Sequence, residues 1–193
     1  MIRNPEVLLN EVNILRKLDH PNIIKLYESF EDKGYLYLVT EYDIGLCSLC
    51  EGGELFDRID EEGSFDEARA RNIFTQITQS MKYLHLQKIC HRDLKAENFL
   101  FADTKSDRIT LIDFGMAFQW HDDMRKELVK TGNNKLVGTS YYVAPEVIAR
   151  DYDQRCDIWS LGVLLHVIVS ASPPFPGDDD NEILQNIKNG VYV

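Results

Sequence analysis

The residues best able to do chemistry fall in one short run, His91-Arg92-Asp93-Leu94-Lys95-Ala96-Glu97-Asn98, and in a turn further on, Asp113-Phe114-Gly115. Together they set an acid, a cation, an amide and a second acid at small fixed spacings. Two acids and an amide oxygen are hard ligands suited to magnesium, which keeps phosphate groups as partners. The lysine and the remaining acid would then serve a transferring phosphoryl group and its acceptor.

Such a site needs elements to hold it, and the chain supplies candidates on both sides. Upstream, Asn4-Pro5 is a helix start, and the segment runs to about Leu18 with Val7, Glu11, Ile14 and Leu18 on one stripe. An acid on an inward face needs a cation; a solvent-facing Glu11 is the alternative. Ile23 to Phe30 and Tyr35 to Tyr42 flank Asp32-Lys33-Gly34 and read as a hairpin. Glu54 to Glu62 reads as a short helix stopped by Gly63, and Ser64-Phe65-Asp66-Glu67 as a capping box for a helix running to about Lys88. That helix carries Ile73, Phe74, Ile77, Met81 and Leu84 inward, and His85 near its end reads as structural. Downstream come a strand within Ser106 to Asp113, an apolar helix opened by Asp157-Ile158-Trp159-Ser160-Leu161-Gly162 and ended by Pro173-Pro174, and a helix from Asp180 to Asn189 closed by Gly190.

Composition narrows the partners. A net charge of −11 over 193 residues and a pI near 4.9 argue against nucleic acid or an anionic membrane as the main partner. The first residues lack the apolar core of a signal peptide, and Leu161 to Ala171 is too short to span a bilayer, so a cytoplasmic protein is expected. Cys47, Cys50, Cys90 and Cys156 show no framework spacing and read as free thiols; Cys47-x-x-Cys50 lacks a second pair to complete a zinc site.

His-Arg-Asp-Leu-Lys-x-x-Asn, then Asp113-Phe114-Gly115, then Ala144-Pro145-Glu146 resembles the catalytic loop, metal-binding turn and closing motif of protein kinases, in the right order. Cys90-His91-Arg92-Asp93 and Asn98-Phe99-Leu100-Phe101 are similar to the calcium-dependent and calmodulin-dependent group, although no EF-hand loop pattern occurs in these residues. The resemblance implies an α+β, protein kinase-like fold, with a mainly helical C-lobe at 54–193, a hinge at 43–53 and an incomplete N-lobe at 1–42 made of the αC helix and two antiparallel strands. The family places a glycine-rich loop and a Val-Ala-x-Lys strand before αC, and two more helices after the last one here; no residues of this sequence correspond to them.

The resemblance also assigns roles. Asp93 would orient the acceptor hydroxyl and take its proton, and Lys95 would neutralise the transferring phosphate, a pairing that favours serine or threonine acceptors. Asn98 and Asp113 would hold magnesium. Thr139 resembles the threonine that bridges Asp93 and Lys95, with a plain loop hydroxyl as the alternative. Glu11 matches the αC glutamate that pairs with the strand lysine. Thr40 matches the gatekeeper, Glu41 and Cys50 match hinge positions at the adenine of ATP, and Leu55 and Leu100 would flank that ring. Asp43 to Leu49 looks like an insertion between the hinge positions, which either bulges outward or disturbs the site. Glu54 and Glu97 sit where basophilic kinases read an arginine upstream of the acceptor; the ribose or solvent is the other use. His91 and Phe114, with Leu15 and Leu26, match an apolar spine, and Asp157 would brace the loop from below. Arg92 would normally receive an activation-loop phosphate, but Lys135 occupies the position three before Gly138. The expectation is an ATP-dependent serine/threonine kinase acting on a protein substrate, with a catalytically inactive pseudokinase or scaffold as the alternative.

Overall fold

The computed structural model describes residues 5–33, 35–41, 52–120 and 139–193. Among these lie six α-helices and six short strands. Helix α1 (Pro5–Leu15) starts at its first-turn proline, while Asn4 lies outside the described residues. It ends before Leu18, because Lys17 and Leu18 donate to Ile14 and Leu15, tightening the last turn to i→i+3 bonds. Only the C-terminal half packs inward. Glu11, Val12, Ile14, Leu15 and Leu18 are buried, whereas Val7, expected on the same stripe, is exposed.

Strands β1 (Leu26–Asp32) and β2 (Tyr35–Thr40) pair antiparallel with Asp32 opposite Tyr35, and Lys33 turns the corner at φ 49°. Ile23 and Ile24 do not extend the hairpin as the apolar run suggests. Ile23 bridges in parallel to Leu111, and Ile24 N donates to Leu111 O at 2.9 Å. The Asn22 amide adds bonds to Ile109 O (2.8 Å) and Gln76 Oε1 (2.9 Å), so this segment ties the hairpin to the body below. The hairpin itself stays open, with Tyr27, Phe30, Tyr35, Tyr37, Leu38 and Val39 exposed.

The body is helical. Helix α2 (Leu55–Glu62) stops at Gly63, whose φ of 82° is left-handed and favours glycine. Helix α3 (Glu67–Leu86) is capped by Asp66, which accepts from Arg69 N at 2.8 Å, rather than by Ser64. Phe65 explains the later entry: it is buried, and its N–H donates to Ile168 O, which fixes the chain before the helix begins. Ile73, Ile77, Met81 and Leu84 are fully buried, each stabilising the fold by about 1.5–3 kcal/mol. Phe74 is only partly buried against them.

Strands β3 (Ile89–Cys90) and β6 (Phe118–Gln119) pair, as do β4 (Phe99–Phe101) and β5 (Ile109–Leu111). Helices α4 (Pro145–Ile148), α5 (Cys156–Ser170) and α6 (Asp180–Asn189) complete the described body. Helix α5 stops at Ser170, where Ala171 turns left-handed at φ 54°, before the prolines are reached. Its core face is apolar, but Ile158, Leu165 and Val169 are exposed, so it is not buried all round. No helix among the described residues is long and apolar enough to cross a membrane.

Candidate active site

The His91–Asn98 loop leaves β3 and is held from α5. Asp157, in the first turn of that helix and wholly buried, accepts from His91 N (2.9 Å) and His85 Nε2 (2.8 Å) through Oδ2, and from Arg92 N (2.9 Å) through Oδ1. Burial alone would raise its carboxyl. The His85 hydrogen bond and the donors around it instead hold it below its ordinary value, so Asp157 is a charged acceptor. Arg92 sits at φ 67°, a left-handed conformation that costs a non-glycine residue on the order of 1–3 kcal/mol. The charge-assisted bonds that Asp157 accepts from the His91 and Arg92 N–H groups offset the strain and define the turn.

Arg92 Nε donates to Met116 O at 2.7 Å, linking the loop to the segment after Asp113. The His91 ring meets Phe114 edge-on at 5.3 Å, and burial pushes its imidazole down, so it is neutral at pH 7. Leu15 is buried nearby in the core, and Leu26 is partly buried against it. Cys90 and Cys156 are free and buried, with sulfurs 3.7 Å apart, and burial pushes the Cys90 thiol well up. With Asp157 they form the one group of potential metal ligands found among the described residues, but both Asp157 oxygens already bond the loop.

The reactive face points the other way. Asp93 Oδ2 lies 3.5 Å from Lys95 Nζ, and Thr139 Oγ1 donates to Asp93 Oδ1 at 3.3 Å. Thr139 stands just before the 3-10 turn Ser140–Tyr142. Asn98 is buried, and its Nδ2 donates to Asp93 O at 2.7 Å, which leaves Oδ1 as the amide's acceptor. Asp113 Oδ1 accepts from Gly115 N at 2.8 Å, leaving Oδ2 unused by that turn. An amide oxygen and a carboxylate oxygen are the hard donors magnesium takes, so this pair fits the ion chemically.

Acid surrounds this face. Glu54 stands at the N-cap position of α2 without a capping bond from its side chain, and its backbone bridges to Leu100; burial, then the charges of Asp57 and Glu97, push its carboxyl up. Glu97 Oε2 is buried with no hydrogen-bond partner. Above, a cavity of about 280 Å³ is lined by Thr40, Glu41, Leu100 and Ile112, and it reaches back to Pro21 and Arg108. Leu55, expected beside Leu100, is instead fully buried in the core and does not line this cavity. Glu11 is buried and partnered, as its inward reading requires. Cys50, the insertion from Asp43 to Leu49 with its Cys47, and Lys135 lie outside the described residues.

Three supporting residues escaped the sequence reading. Ser160 Oγ donates to Tyr142 O at 2.8 Å, tying the segment after Thr139 to α5. Tyr142 is pushed up to about 12, first by burial and then by the Glu97 charge, so its hydroxyl stays protonated. Arg58 is buried beneath Gly52 and Phe101. None carried a signal: a serine inside an apolar helix, a tyrosine in a loop and an arginine four before Glu62 all suit ordinary positions.

Known proteins match along the whole chain. The family model described as "Protein kinase domain" matches residues 2–192. "Calcium-dependent protein kinase 3" of Plasmodium yoelii yoelii is 45% identical over 192 residues, covering 99% of this chain and 33% of the relative. "Calcium-dependent protein kinase 5" of Plasmodium falciparum (isolate 3D7) is 45% identical over 193 residues, covering 100% and 32%. "Calcium-dependent protein kinase 4" of Plasmodium berghei (strain Anka) is 41% identical over 191 residues, covering 96% and 33%. The chain therefore spans about a third of the length of these curated relatives. With the ordered motifs and the braced loop they occupy, these matches establish that the chain belongs to the protein kinase domain family.

Proposed function

We propose that this chain is the catalytic portion of a serine/threonine protein kinase, transferring the γ-phosphoryl group of ATP to a protein hydroxyl. One observation carries the reading: the Asp93 carboxylate lies within reach of both Lys95 (3.5 Å) and Thr139 (3.3 Å). In this reading Asp93 orients the acceptor hydroxyl and accepts its proton, while Lys95 meets the charge that develops on the phosphoryl oxygens. Thr139 holds Asp93 in that orientation. Asn98 and Asp113 hold magnesium, which neutralises phosphate charge when bound. Thr40, Glu41 and Leu100 face the adenine, with 43–53 as the hinge between an upper unit at 1–42 and a lower unit at 54–193.

The substrate reading follows from charge. Glu54 and Glu97 repel each other, and one Glu97 oxygen is buried without a partner, an arrangement that an incoming arginine would relieve. We therefore assign a basic segment upstream of the acceptor. Buried free thiols at Cys90 and Cys156 support a reducing, cytoplasmic setting.

The test compares transfer from labelled ATP by the chain, by Asp93→Asn and by Asp113→Ala, with a basic peptide as acceptor. Asp93→Asn should lose roughly 10²- to 10⁴-fold in rate. Equal, background-level signal from the unmodified chain and Asp113→Ala would overturn the catalytic reading and leave the scaffold reading standing.

A further inference from the structure

Arg58 is a heavily engaged cation, and nothing in the reaction chemistry uses it. It lies on α2 with its side chain 9% exposed. Its Nη2 donates to Gly52 O at 2.6 Å and to Asp103 O at 3.0 Å, and its Nη1 to Ser106 O at 3.3 Å. The guanidinium also lies over the Phe101 ring, 3.6 Å from its centroid. Its nearest acid, Glu62, stands 4.0 Å from Nε, so backbone carbonyls satisfy most of the buried cation.

These contacts join three segments of one platform. Gly52 and Gly53 lead into Glu54; Gly53 O accepts from Phe101 N at 3.0 Å, and Glu54 bridges to Leu100. Asp103 and Ser106 belong to the turn between β4 and β5, which follows Leu100 and Phe101. The approach is tight: a Cβ on Gly52 would meet Phe101 O at 2.3 Å. A planar fork with several donors can hold three carbonyls and stack on a ring at once, whereas a lysine offers only a point charge.

We infer that Arg58 is a positioning residue for nucleotide binding, fixing the β4 strand that carries Leu100 against the Gly52-Gly53 strip that leads into α2. The inference rests on the kinase reading above, since Leu100 matters to a nucleotide only if ATP binds there. The Asp93 site should not depend on it, because Asp157 holds the start of that loop through the His91 and Arg92 N–H groups, and Lys95 and Thr139 meet Asp93 directly.

The experiment titrates the full chain with ATP and magnesium, following binding by calorimetry and thermal midpoint in parallel. Arg58→Met should weaken ATP about tenfold and Arg58→Lys about threefold, the lysine restoring charge but not the fork. Arg69→Met is the control: Arg69 pairs with Glu62 and Asp107 and stacks over Phe65 without touching Gly52. It should lower the midpoint yet keep ATP affinity within about twofold. Unchanged affinity in folded Arg58→Lys and Arg58→Met would overturn the inference. An equal loss in Arg69→Met would also overturn it, because general destabilisation would then account for the effect. If Arg58→Met does not fold, Arg58→Lys against Arg69→Met decides alone. Absence of ATP binding by the unmodified chain is a different result, and it would overturn the kinase reading beneath this one.

Discussion

The His91–Asn98 loop and the β1–β2 hairpin both carry aromatic and aliphatic side chains, but only the loop hides them. His91, Leu94 and Ala96 are almost completely buried, whereas Tyr27 is 62% exposed and Tyr35 is 69% exposed. The loop has little regular structure of its own. Its order is imposed from outside, by Asp157 on α5, by His85 on α3 and by the core beneath Leu94. The hairpin has a regular ladder and one stacked ring pair, Phe30 with Tyr37 at 4.9 Å, but few buried partners. A two-stranded hairpin without a covered face is marginal in water. Regularity is thus a poor guide to rigidity in this molecule, and burial with satisfied polar groups is a better one.

The largest way to break this comparison is Asp157→Ala. It strands the His91 and Arg92 N–H groups and His85, and removing one partner of a buried charged network costs roughly 3–5 kcal/mol. Urea unfolding should show that loss; a change below about 1 kcal/mol would mean that the loop is held by something else.

Acidification gives a smaller effect of definite sign. Burial lowers the His91 pKa in the folded chain, so the unfolded chain binds more protons below its ordinary value of 6.5. Stability from this group is complete above that value and falls as pH drops below it, by at most about 1.4 kcal/mol per pH unit. His20, also lowered by burial, adds a change of the same sign. Asp157, held below its ordinary 3.8, stays charged through this window. The urea midpoint should fall between about pH 7.5 and 5.5, and His91→Leu should flatten the fall; a midpoint that rises on acidification contradicts the account.

The smallest effects belong to the hairpin. Tyr27→Ser should change global stability by no more than about 0.5 kcal/mol. Hydrogen exchange sharpens the contrast. Amides of β4 and β5 should exchange only with near-global unfolding, and those of β1 and β2 through local opening. Equal protection in both pairs would show that the hairpin is anchored as firmly as the loop.

Much of this was legible in the residues. The helices stopped by Gly63 and Gly190 ended where the glycines predicted, since a left-handed terminal residue is a local property. His85 proved structural, with Asp157 as its partner. Local chemistry misled where two local signals competed. Ser64 and Asp66 both suit a cap, and the burial of Phe65 selected the second. Val7 fitted the α1 stripe by spacing, yet only the C-terminal half of that helix meets the body. Leu55 matched a flanking position by motif, but its side chain turned into the core.

By itself the sequence determined the family and the order of elements, and through the resemblance it named candidates for holding magnesium, orienting an acceptor and countering phosphate charge. Those depend on residue type and short spacing, which survive without coordinates. The resemblance implied that Asp157 braces the loop and that Thr139 meets Asp93; the tertiary structure decided the atoms, joining Asp157 to the Arg92 and His91 amides 65 and 66 residues back and Thr139 to the Asp93 carboxylate 46 residues away. It alone placed Arg58 beneath Gly52 and Phe101. Contacts at such separation are set by how helices and strands pack, and no local pattern encodes which buried cation will meet which carbonyl.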